Sequence, residues 1–492
     1  MNAHKSLLFF CSVLAGLALL SLCWPPEGVS LEGDMRLRFP HLTEVMGADQ
    51  HETKNDTDSV SSLTPEGSPA PEHLWCEEMR EIERQALMSK ETDEFHTVLR
   101  ETNAARIYMP NDDETYLNGL WEQLSQIKSR HCRILYYGDS QIECDRITSV
   151  LRQRFQEEFG GMGVGLVPAL QSIPTFTLSS TIIPEDVPQY LAYGPSEKRS
   201  EDNFYGPLAR VTHIPDGATI QLSGIGADDY SLSRRCTRLT VITRHTATLL
   251  LTTGKDEASA DTLRLMPSKS KTATEHLESE EPCFYVSTLS HPTSKMTLRV
   301  EGEADILGIQ LDGTTGVNID NIPMRGSSGR ELMSISPSSM LPFLSREHVV
   351  LIILQFGGNS TPYLNLSNLS DFKNEMKRLI NHFHRLSPQS KILFIGPADM
   401  AHSREDGRLE SYPILPALTD SLRSAANESE AAYWDMYSAM GGRGSIMRWV
   451  EARPQLAGED YIHFTTAGAK RIGEMLYETL QFYHKFWEKE NP

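Results

Sequence analysis

Four short blocks of this chain carry residue types suited to acyl transfer, and each alone is a weak signal. Ser140 stands in Gly138-Asp139-Ser140, directly after the apolar run 134–137. Beyond it, Ile147, Val150, Leu151, Phe155 and Phe159 share one helical face. A serine between a strand's carboxyl end and a helix's amino end holds its hydroxyl at a sheet's ligand edge, where free N–H groups favour developing negative charge. An N-cap serine is the plainer role for that position. A serine nucleophile needs an imidazole to take its proton and a carboxylate to fix the imidazole's tautomer. Asp460-Tyr461-Ile462-His463 supplies both from one loop near the carboxyl terminus. Acyl transfer also needs donors aimed at the oxyanion. Asn359 follows Gly357-Gly358 after the apolar run 349–356, and Gly326 follows a strand-like stretch at 316–319 with no side chain to block a substrate. Losing one such donor costs about 3–4 kcal/mol of barrier stabilisation. An Asx turn and a turn glycine are the ordinary readings of these two positions.

For those blocks to meet, strand ends must bring distant parts of the chain to one edge. The runs at 134–137, 349–356, 392–395 and 431–436 are short, apolar and strand-like, and they alternate with amphipathic patterns. Phe372, Met376, Leu379, Ile380 and Phe383 form one such helical face; Ile472, Met475, Leu476 and Leu480 form another. Fully apolar strands alternating with amphipathic helices predict a parallel sheet covered on both faces, an α/β/α arrangement. The stretch 166–315 breaks that rhythm. Strand-like runs at 219–222, 239–243, 247–251, 284–286, 296–300 and 306–311 are separated by turn residues with no convincing helix between them. This predicts an all-β sandwich inserted into the α/β body, which is thermodynamically cheap at a surface loop.

The chain has 492 residues, 39% of them apolar, and a formal net charge of −20. It can bury a sizeable core, which argues against a disordered or collagen-like chain. The acidic balance argues against a nucleic-acid partner, because no basic surplus exists to displace counterions. Seven cysteines without a CxxC pair give no zinc framework, and the chemistry above requires no cofactor or metal. Residues 1–30 combine Lys5 with a long apolar run and read as a signal peptide or a retained membrane anchor, so the working part is expected outside the cytoplasm, periplasmic or at the cell surface. Leu22 before Cys23 disfavours a lipoprotein. Residues 31–73 read as a disordered linker, 74–112 as a helical extension with a clearer amphipathic stretch at 114–128, and 113–165 and 316–492 as the two parts of the α/β body. Cys236 and Cys283 are either a disulfide pair or free thiols. Cys132 and Cys144 read as packing residues, His382 and His384 as solvated. Tyr190, Tyr193, Phe204 and Tyr205 are candidates for stacking on a sugar ring. Oligomeric state is not legible here.

Taken in order, GDS, the glycine of the 320–329 segment, GGN and DYIH resemble the SGNH (GDSL-type) hydrolase family. The segments ILYYGDSQIECDRITSVLRQRFQEEFGGMGVGLVPA, YWDMYSAMGGRGSIMRWV and AGEDYIHFTTAGAKRIG are most similar to bacterial members of the peptidoglycan O-acetylesterase type. The resemblance spans about residue 114 to the end. It implies a flavodoxin-like three-layer fold with a carbohydrate-binding-module-like β-domain at 166–315. It also implies Ser140 as nucleophile and oxyanion donor, Gly326 and Asn359 as further donors, and Asp460 with His463 completing a triad. The implied activity is release of acetyl groups from a cell-envelope glycan, with an O-acetylated glycan as partner. Deacetylation of other polysaccharides, O-acetyl transfer, or glycan binding without catalysis are the alternatives. Gln141, Arg325 and Ser360 depart from the residues usual at their places.

Overall fold

A computed structural model of the protein describes residues 29–30, 36–37, 106–127, 130–224, 232–253, 261–268 and 281–491. The expected export segment, the linker and most of the helical extension lie outside these residues, apart from a two-residue antiparallel pair, Val29–Ser30 with Arg36–Leu37. The chain divides into two compact units, Met1–Ser68 and Pro69–Pro492. Among the described residues, no helix is long and apolar enough to cross a membrane.

The heart of the second unit is a six-stranded sheet. Its order is Gly316–Pro323, His131–Gly138, Val349–Gln355, Lys391–Ile395, Ala432–Trp434 and Ile107–Tyr108. The first five run parallel. The serine strand His131–Gly138 therefore lies between two strands that both come later in the chain, the order of flavodoxin-like folds. Its residues are buried on both faces: Ile134 and Tyr136 pack with the helices Asn118–Ser125, Thr148–Phe159 and Thr466–Glu490. Leu135 and Tyr137 pack on the opposite side with Pro337–Arg346, Leu369–Leu386 and Leu415–Glu428. Burial on both sides explains why the strands read as continuous apolar runs rather than alternating ones.

Two expectations are corrected at the amino-terminal end. The extension predicted as helical to 112 ends instead in the edge strand Ile107–Tyr108, antiparallel to Tyr433–Trp434, and a turn at Pro110–Asp112. An isoleucine–tyrosine pair just ahead of a proline suits a sheet edge better than a helix. The amphipathic stretch at 114–128 yields a shorter helix, Asn118–Ser125.

Between Gly165 and Asp312 the chain forms two antiparallel sheets of seven and five strands. Their facing sides share one core, with Leu239, Val241 and Ile309 from the larger sheet against Ile220, Leu251 and Leu298 from the smaller. Along Lys295–Glu301 every second side chain, Met296, Leu298 and Val300, points inward, as period-two patterning requires. The larger sheet also packs on the α/β layers: Val211, Ile242 and Leu307 join the same cluster as Tyr137 and Ile352. Phe204 and Tyr205 are buried in that cluster, as is Tyr193, so three of the four aromatics considered for sugar stacking are core residues, and Tyr190 alone is exposed. Cys236 and Cys283 are free thiols.

Candidate active site

Sheet register brings the separate blocks to one edge. Gly138 lies level with Pro323 on one neighbouring strand and with Gln355 on the other. Ser140, Gly326 and Asn359 each follow those residues by a few positions, so all three emerge beyond the carboxyl ends of adjacent parallel strands. Met324 N–H donates to the Gly138 carbonyl at 2.8 Å, which carries the pairing into the loops.

Ser140 Oγ lies 2.8 Å from His463 Nε2, and His463 Nδ1 lies 2.7 Å from Asp460 Oδ2. A carboxylate can only accept, so Nδ1 carries the proton and Nε2 is left to accept from the serine hydroxyl. The other carboxylate oxygen, Asp460 Oδ1, accepts from the backbone N–H of Ile462 and of His463, both at 3.0 Å. Burial acts to raise the Asp460 carboxyl. The amides and the imidazole overcome it and hold the group below the usual carboxylate range.

A pocket of about 200 Å³ opens at this point, lined by Ser140, Asn359, His463, Tyr363, Met400 and Asp139 among others. Asn359 Nδ2 donates to the Ser327 carbonyl at 3.1 Å, which uses one of the two protons its amide carries. Gly326 stands on an exposed turn at φ +76°, where a Cβ would meet nothing within 4 Å. It sits at the same edge but does not line the pocket around Ser140. Neither the Ser140 nor the Gly326 N–H donates to an acceptor among the described residues.

Three residues that support the site were not identified as such by their types and spacing. Arg146 donates to the Ser140 carbonyl at 2.7 Å and to the Phe464 carbonyl at 2.8 Å, clamping the serine loop to the histidine loop. Gln141, noted only as a departure, spans the same gap: its Nε2 donates to the Ile462 carbonyl at 2.6 Å, and its Oε1 accepts from Phe464 N–H at 3.3 Å. Asp139 is buried beside the serine and accepts from Gln141 N–H at 2.9 Å. Burial pushes its carboxyl up to about 6, against the pull of that amide and of the His463 and Arg146 charges. Arg325, the other notable departure, forms a two-pronged ion pair with Glu143, Nε donating to Oε1 at 2.9 Å and Nη2 to Oε2.

One cluster of potential metal ligands, His131, Asp312 and Glu347, lies among the described residues. Its carboxylates already face guanidinium groups: Arg133 stands 2.5 Å from Asp312 and 3.4 Å from Glu347, and Arg238 3.2 Å from Asp312. Positive charge already fills the place a cation would need.

No family model and no curated protein matches this chain. A solved structure of a peptidoglycan O-acetylesterase superposes on it with a TM-score of 0.59 at 18% sequence identity, covering 77% of this chain and 98% of that one. The chain has an SGNH hydrolase fold. Two further structures are much more distant. A carbohydrate acetylesterase from Sinorhizobium meliloti covers 34% of this chain and 78% of its own at 14% identity and a TM-score of 0.25. A family two carbohydrate esterase from Cellvibrio japonicus covers 63% and 99% at 9% identity and 0.24. Within the SGNH fold, the edge that holds Ser140 is the one at which open parallel sheets bind their ligands.

Proposed function

We infer that the protein is an exported serine esterase that removes O-acetyl groups from a cell-envelope glycan, with peptidoglycan as the substrate. The observation that carries this reading is the unbroken chain of contacts from Ser140 Oγ through His463 to Asp460. His463 takes the proton as Ser140 Oγ attacks the acetyl carbonyl, and Asp460 stabilises the imidazolium that forms. The Ser140 N–H and the free proton of the Asn359 amide, which both line the pocket, receive the oxyanion. Collapse of the tetrahedral intermediate breaks the ester C–O bond, and His463 returns the proton to the departing sugar hydroxyl. Water, deprotonated by His463, then attacks the acetyl-enzyme and releases acetate.

Hydrolysis is favoured over transfer to a second sugar by the openness of the relay. The side chains of His463 and Asp460 are 39% and 48% exposed, so bulk water reaches the acyl-enzyme. The two antiparallel sheets between Gly165 and Asp312 act, in this reading, as a carbohydrate-binding-module-like insertion that presents the polymer, and the segment 1–30 directs export. The test is acetate release from O-acetylated peptidoglycan, acetyl-xylan and an aryl acetate, with Ser140→Ala as control. The expected result is preferential release from peptidoglycan, lost by a factor on the order of 10⁴ or more in Ser140→Ala. Wild-type turnover in that variant rejects the mechanism, and equal release from acetyl-xylan rejects the substrate.

A further inference from the structure

A second cavity, about 290 Å³, lies beside the serine loop and is larger than the pocket of about 200 Å³ around Ser140 itself. Three parts of the chain meet in its wall: Glu143 of the serine loop, Asn321 and Arg325 at the end of the neighbouring strand, and Val167, Leu191 and Arg210 from the antiparallel sheets. Leucine, valine, isoleucine and proline side chains make up much of the lining.

Charge on this wall is unbalanced. Arg325 holds Glu143, and Arg152 holds Asp145 at 2.6 and 2.9 Å. Lys198 and Arg210 also face the cavity, and among the described residues neither has a carboxylate partner. Arg210 donates only to neutral acceptors, the Tyr193 hydroxyl and the Pro323 carbonyl, the latter at 3.2 Å. Both of those bonds come from Nη2, and its Nε is buried, which leaves Nη1 as the nitrogen with unused donors. A guanidinium nitrogen with unused N–H donors in an apolar-walled cavity is matched by a carboxylate through a charge-assisted hydrogen bond. Phosphate would bring a fuller hydration shell and no apolar surface for the Val167 and Leu191 side.

We propose that this cavity is a second binding site for a carboxylate-bearing sugar, with the carboxylate on Arg210 and the less polar ring face against Val167 and Leu191. Resting on the esterase reading above, this site narrows the substrate class: a glycan strand that carries a free carboxylate within reach of the esterified sugar. Glu143 and Arg325, which line the cavity, stand three and one positions along the chain from Ser140 and Gly326, so the cavity wall is continuous in sequence with the serine and glycine loops.

The full chain is titrated with glucuronate, glucose and inorganic phosphate by ligand-observed NMR, while alkylation of Cys144, which lines the cavity, is followed by mass spectrometry. Glucuronate is expected to bind at least tenfold more tightly than glucose or phosphate and to slow alkylation of Cys144 but not of Cys283. Arg210→Gln should weaken that binding at least tenfold, with partial recovery in Arg210→Lys. Because Arg210 also steadies Tyr193 and Pro323, Leu191→Trp is the second variant; it fills the cavity from a partly exposed position and should abolish glucuronate binding. Equal binding of glucuronate and glucose, tighter binding of phosphate, or full glucuronate binding in either variant overturns the site. Fluorophosphonate labelling of Ser140 on the same samples separates the two readings. Labelling without acid binding rejects this cavity alone, and acid binding without labelling rejects the esterase alone.

Discussion

Asp460 does its work from a loop that water reaches, with two amides and an imidazole ring converging on its carboxylate. Asp460→Asn would keep the loop's shape but present an amide to Nδ1, favouring the wrong imidazole tautomer. That error costs about 10⁴-fold in a buried triad. Solvent screening at this exposed site reduces it, and kcat on an aryl acetate is expected to fall about 10²–10³-fold with little change in KM. Asp139 behaves in the opposite sense. Its folded carboxyl is raised from 3.8 to about 6. Its stabilising contribution is therefore complete below the unfolded value and is lost as pH rises through about 6. Between pH 4 and pH 8, urea denaturation of the wild type should show about 2 kcal/mol of pH-dependent stability that is absent in Asp139→Asn. A pH dependence unchanged by that substitution would mean that the carboxyl titrates normally.

The loop from Ser140 to Asp145 is a short kinked turn rather than the start of a regular helix: Cys144 and Asp145 stand at φ +61° and +63°. Such backbone strain, about 1–3 kcal/mol per residue, persists only where neighbours over-determine it. Here Asp145 is pinned by Arg152, Thr148 and Thr177. Gln141 and Arg146 then tie the turn to the histidine loop. Gln141→Leu removes both of the glutamine's bonds and leaves the Ile462 carbonyl to find water. It is expected to lower kcat about tenfold, consistent with the worth of a lost hydrogen bond, while fluorophosphonate still labels Ser140. The strands and helices of the α/β layers were legible because burial on two faces writes long apolar runs and 3.6-residue periodicity. The apolar runs that stop at Gly138 and Gly357 also let Ser140 and Asn359 be placed at strand ends from the sequence. Arg146, the bracing role of Gln141 and the kink at Cys144 left no such mark. They depend on which polar atoms meet across the sheet edge, and polar spacing within one segment says nothing of that. Strands such as Gly165–Val167 and Gln189–Leu191 were missed because three residues are too few to show a period.

Arg133 joins the two halves of the architecture. It is fully buried, and it reaches Asp312 at the end of the antiparallel sheets, Asp320 on the neighbouring parallel strand at 2.6 Å, and Glu347 ahead of the next. Arg133→Met would leave Asp320 buried without a counter-charge among the described residues, Asp312 with Arg238, and Glu347 with Arg238 and Arg346. It is expected to destabilise the protein by about 3–5 kcal/mol at neutral pH in urea denaturation. Part of that deficit should disappear in acid, where the carboxyls can shed their charge by protonation. A loss below about 1 kcal/mol would mean that the two halves are held by apolar packing alone. The position of the serine strand has a different consequence, for biosynthesis. Both of its sheet partners lie on the far side of the antiparallel region. A ribosome adding about 5–20 residues per second needs roughly ten to forty seconds to make the roughly 180 intervening residues. For that time a strand with an apolar run at 134–137 sits on the nascent chain with no mate. Faster translation through this stretch would shorten the window in which that run can aggregate.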